Sequence, residues 1–147
     1  MAELILEPYA AILEWRLPGM DVHWESVLGE YLQRIAQRCA ASGKCVIGHI
    51  KALSTFADQG YLRISVVAAN IPASIEGKAP PRCVSLELTL NVLVYGLDRN
   101  IVEKITLETA SEIARQRKGE VHQKNFPHAS DHLFHSNQQN PSKGETQ

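Results

Sequence analysis

Four side chains capable of chemistry stand at alternate positions in stretches that switch between apolar and polar residues: His49, Lys51, Arg63 and Glu87. An imidazole beside an ammonium, a guanidinium and a carboxylate can shuttle protons or hold an anionic small molecule. These four are therefore the candidate ligand-binding residues, with Ser65 beside them. Two other readings fit the same residues. Oppositely charged neighbours on a wet sheet face contribute about 0.2–1 kcal/mol per pair and need no ligand. Alternatively, the face packs on a copy of itself or on a partner protein, because Ile47, Val67, Leu93 and Tyr95 share it by alternation. Four large apolar groups exceed what a purely solvated face requires, so this reading leads. It makes the chain a non-catalytic module, and whether the chain is an enzyme is left open. RNA binding through Lys51 and Arg63 is the third alternative.

Other candidate chemistry is thinner. Lys78 and Arg82 lie in a long proline-containing segment, 70–82, that suits a lid or a stiffened crossover. Four of the six histidines, His122, His128, His132 and His135, fall near the C-terminus with Asp131. Pro127 and the lack of a cysteine partner argue against a built metal centre there. Cys39, Cys45 and Cys83 lack metal-ligand spacing and read as small buried hydrophobes in a reducing compartment. The chain has no glycine-rich phosphate loop, no G-x-S-x-G elbow and no C-x-x-C pair. No metal and no cofactor are expected.

The elements that must position these residues follow from periodicity. Val84, Leu86, Leu88, Leu90, Val92 and Val94 form one apolar face of a strand whose other face carries Glu87. A one-residue slip would bury that carboxylate, so the register is firm. Residues 45–54 and 61–69 alternate likewise and form a hairpin across Asp58-Gln59-Gly60. Tyr9 to Leu17 suits a further strand ended by Pro18-Gly19, or a short helix. Trp24, Leu28, Tyr31, Ile35 and Cys39 recur at steps of three and four, the stripe of a helix with Asp21 as N-cap and Gly43 as a left-handed stop. Gly29 within it costs about 1 kcal/mol relative to alanine, which packing or the approach of another backbone must offset. A second helix starts near Asp98 or Asn100, with Asn100 and Glu103 at capping-box spacing. Val102, Ile105, Ile113 and Ala114 are its buried side, and Gly119 closes it.

These elements predict an α+β two-layer sandwich: three to four antiparallel strands with two helices on one face. Residues 1–118 form the single domain, and 119–147 a disordered polar tail. Of 147 residues, 44% are hydrophobic, enough for a core without disulfides. The net charge is −1, and the 13 basic and 13 acidic residues up to Lys118 balance. A neutral body has no general field for nucleic acid or anionic lipid. Leu4-Ile5-Leu6 is too short for a signal-peptide core, and no run is long enough to span a membrane. The expectation is a cytoplasmic protein that forms a homo-oligomer or docks on a partner, with a small-molecule ligand as the alternative.

Overall fold

The computed structural model describes residues 8–124. Eight elements follow in the order β1 (Tyr9–Arg16), α1 (Trp24–Ser42), β2 (Val46–Thr55), β3 (Tyr61–Val66), β4 (Ser74–Gly77), β5 (Ser85–Tyr95), α2 (Arg99–Gln116) and β6 (Glu120–Lys124). The strands make one sheet in the order β4-β3-β2-β5-β1-β6, every neighbouring pair antiparallel. Both helices lie on one side. α1 packs over β2 and β3, α2 over β1 and β6, and the helices touch each other. The α+β class and the one-sided helices match the expectation.

The sheet has six strands rather than three or four. The two that periodicity misses are the edges. β4 has four residues, all exposed, and turns only Ile75 toward the helices. It lies inside the proline-containing segment, 70–82, expected to be a lid or a stiffened crossover. β6 falls within the expected tail; it turns Val121 toward the core, while Glu120, His122 and Lys124 face away. Backbone pairing with β1, not apolar alternation, holds it. The rest of the expected tail, from residue 125, lies outside the described residues.

The core is built from alternate residues: Ala11, Leu13 and Trp15 of β1, Ile50 and Ala52 of β2, Leu62 and Ile64 of β3, and Leu88 and Leu90 of β5. The whole predicted α1 stripe, Trp24 to Cys39, is buried against them. The helix termini differ from expectation. His23, not Asp21, is the N-cap of α1 and makes no side-chain bond; Gly43 is extended, not left-handed. α2 is capped by Asp98, whose carboxylate accepts from the Asn100 N–H at 2.8 Å. That side chain supplies an acceptor for an otherwise orphaned first-turn donor. Gly29 faces a side chain rather than a backbone: a Cβ there would sit 3.2 Å from Ile75 Cδ1.

Two buried ionisable groups set an alkaline limit on this core. Burial, reinforced by the neighbouring Cys45 thiol, pushes Cys39 from an ordinary 9.0 up to about 11. Burial also raises the Tyr31 phenol well above its usual value. The folded chain keeps these protons where the unfolded chain releases them, so stability falls as pH rises. Thermal melting at pH 7, 9 and 10.5 should show Tm dropping progressively above about pH 9. A Tm that holds constant up to pH 10.5 would contradict that burial.

Candidate functional site

Among the described residues nothing covers the sheet face opposite the helices. The register of the strands reads it out in rows. One row runs Lys124, Ile12, Thr89, Leu53, Arg63, Glu76 from β6 to β4. On one side of it lie His122, Glu14 and Glu87; on the other, Ala10, Asn91, Lys51, Ser65 and Ser74. Beyond these, His49 stands opposite Leu93, and Val46 opposite Tyr95.

A β-bulge shapes that last region. The β2–β5 register shifts between Ile47 and His49, leaving Gly48 as the extra residue. A bulge changes which face the residues before it present. Ile47, expected on the open face, therefore pairs with Val94 and packs against the core. Val46 takes its place and is 64% exposed. Gly48 lies against Leu93 and Tyr95, whose side chains would meet a Cβ there at 3.1 Å.

The four candidate residues share the face but not one point. Arg63 pairs with Glu76 at 3.0 Å, which also accepts from the Tyr61 hydroxyl at 2.6 Å. The Tyr61 bond, then the Arg63 charge, hold the Glu76 carboxyl below its ordinary value. The Arg63 guanidinium lies over the Tyr61 ring, 5.5 Å from its centroid. Glu87 accepts from Lys124, whose ammonium is raised above its usual range by that hydrogen bond and charge. Glu14 lies directly opposite Glu87. Like charges so placed repel, and Lys124 offsets this by attracting both.

Lys51 faces Asn91, four residues along β5 from Glu87, so their backbones are about 14 Å apart at strand rise. His49 is farther still, two residues from Lys51 on β2. Partial burial, then the Lys51 charge, lower its affinity for a proton. A pair of groups, His49 and Lys51, stands where four were expected to converge.

Sequence reasoning missed Glu76 and Lys124, the partners of Arg63 and Glu87, because both sit on the two unrecognised edge strands. Of the C-terminal histidines, His122 lies on β6 at 3.1 Å from Glu120. His128, His132 and His135 lie outside the described residues, as does Asp131. Among the described residues no three His, Cys, Asp or Glu side chains are grouped to hold a metal ion, and no helix is long and apolar enough to cross a membrane. Lys78 and Arg82 flank the prolines between β4 and β5. A separate cavity of about 710 Å³ opens where the chain enters α1, lined by Pro18, Asp21, His23, Glu25 and Arg117 among others.

Comparison with protein families, with curated proteins and with solved structures finds no match.

Proposed function

We propose that this chain is a non-catalytic module that pairs with a second copy of itself through the open face of its sheet. The observation that carries the reading is the division of that face. One flank holds Glu14 and Glu87, the other Lys51, and the strip between them is Ile12, Thr89 and Leu53, bounded by Lys124 at its β6 end and by the Arg63–Glu76 pair at its β4 end. A twofold axis lying between two such faces and running along that strip sets Glu14 and Glu87 of one copy over Lys51 of the other. Such an isologous contact is self-complementary in charge as well as shape.

Size supports the same reading. Five strand spacings of about 4.8 Å span about 24 Å, and the central strands extend about 30 Å. The product, about 700 Å², approaches the area each partner buries in a standard interface. Edge-to-edge pairing is less favoured, because both edges are guarded. β4 is short and bracketed by Pro72 and Pro80, and β6 carries Glu120, His122 and Lys124. The four-residue ligand site has less support, since Arg63 and Glu87 already have partners on opposite edges.

Light scattering on the full chain at micromolar concentration should give twice the chain mass, with association weakening as salt screens the flanks. Leu53→Asp, a half-exposed apolar position on the strip, should weaken association at least tenfold while leaving the circular dichroism unchanged. A wild-type chain that stays monomeric up to about 100 µM, weaker than specific interfaces of this size hold, would sink the reading.

A further inference from the structure

The three cysteines divide into a pair and a single residue. Cys39 is buried in the last turns of α1, and Cys45 is half-buried at the entry to β2, with five residues between them. The Cys45 thiol donates to the Cys39 carbonyl oxygen at 3.4 Å, so the chain reversal after α1 brings the two residues together. Cys83 is elsewhere: its thiol donates to the Ser85 carbonyl at 3.1 Å. It precedes one end of β5, whereas Cys45 lies beside the other end, next to Gly96. Ten residues of strand put them about 34 Å apart.

The geometry points to an oxidisable pair: Cys39 and Cys45 close an intramolecular disulfide when a low-molecular-weight disulfide is the oxidant. Of the two, the half-exposed Cys45 is the one such a reagent reaches first. Its thiolate attacks one sulfur of the reagent, the reagent's S–S bond breaks, and one small thiol leaves. The Cys39 thiolate then attacks the Cys45 sulfur and expels the second small thiol. Two protein thiols are oxidised by two electrons in total, one reagent disulfide is reduced to two thiols, and the protein's two protons leave with them. Because burial raises the Cys39 thiol to about 11, the second step is slow at neutral pH and quickens about tenfold per pH unit below that value. The bridge would tie the end of α1 to the start of β2, just before the bulge that sets His49 and Val46 on the open face.

The test uses the native full-length chain and glutathione disulfide at pH 7 and pH 9, followed by acid quench, tryptic digestion and mass spectrometry. Cleavage at Arg38 and Lys44 separates the two cysteines, so a bridge appears as a cross-linked pair of peptides. The expected result is that pair, loss of the free thiols of Cys39 and Cys45 together, and faster closure at pH 9, with Cys83, also half-exposed, carrying at most a separate glutathione adduct. Cys83→Ser should leave the Cys39–Cys45 bridge unchanged, and Cys39→Ser should stop at a glutathione adduct on Cys45. A wild-type chain that keeps glutathione on Cys45 beside a reduced Cys39 after prolonged incubation at pH 9 overturns the inference, as does a bridge that includes Cys83.

Discussion

Gly119→Ala should destabilise the protein by about 3 kcal/mol and release β6 from the sheet. A Cβ at this position would lie 2.3 Å from the Arg16 carbonyl oxygen, 2.5 Å from Leu17 Cδ2 and 3.1 Å from Leu17 Cα. Two of these atoms belong to the backbone at the end of β1 and have little room to yield. The Gly119 N–H also donates to the Ala114 carbonyl at 2.8 Å, which pins the residue to the end of α2. The only relief is to move the link outward, and β6 moves with it. Urea denaturation should show a lower midpoint, and amide exchange should accelerate selectively across Glu120–Lys124. The neighbouring position supplies a contrast of opposite sign. Lys118 has a φ of 61°, a left-handed conformation that favours glycine, so Lys118→Gly should stabilise by up to about 1 kcal/mol. Equal midpoints for Gly119→Ala and wild type would show that β1 and α2 are not held this closely.

Trp15→Ala should cost about 3–5 kcal/mol, enough to unfold a marginal domain. Trp15 is fully buried, edge-on to Tyr31 at 5.1 Å and to Trp24 at 6.5 Å between ring centroids. Its neighbours anchor other elements. The Trp24 indole N–H donates to the Cys83 carbonyl at 2.7 Å, and the Tyr31 hydroxyl to the Thr106 carbonyl of α2 at 2.9 Å. Removing the indole of Trp15 opens a cavity where β1, both helices and the approach to β5 meet. The indole N–H of Trp15 has no partner among the described residues. Trp15→Phe therefore loses volume but also an unsatisfied donor, and should cost less than Trp24→Phe, which strands the Cys83 carbonyl. Urea midpoints for the three variants should rank Trp15→Phe above Trp24→Phe above Trp15→Ala. An inverted order of the two phenylalanine variants would mean that the Trp24 bond contributes little.

The legible part of this fold is the part that buries apolar side chains in a regular rhythm. β5 declares itself through five aliphatics on one face, and α1 through a stripe from Trp24 to Cys39. β4 and β6 lack that signal, because each of these short edge strands sends a single apolar side chain inward, Ile75 or Val121, and is held by backbone bonds that any sequence can form. The candidate site inherits this division. That His49, Lys51, Arg63 and Glu87 face away from the helices follows from alternation; that Arg63 meets Glu76 and Glu87 meets Lys124 depends on the two edge strands. A glycine inside a strand is a recognised mark of a bulge, and Gly48 was the one local clue that Ile47 would turn inward.

By itself, then, the order of residues determined which surfaces must hide from water, because hydrophobic burial depends on local periodicity. Strand order, edge pairing and the separation of the charged residues into two partnered groups were decided by tertiary structure. They rest on contacts between segments more than a hundred residues apart, such as β1 with β6, and on backbone hydrogen bonds that carry no side-chain signature.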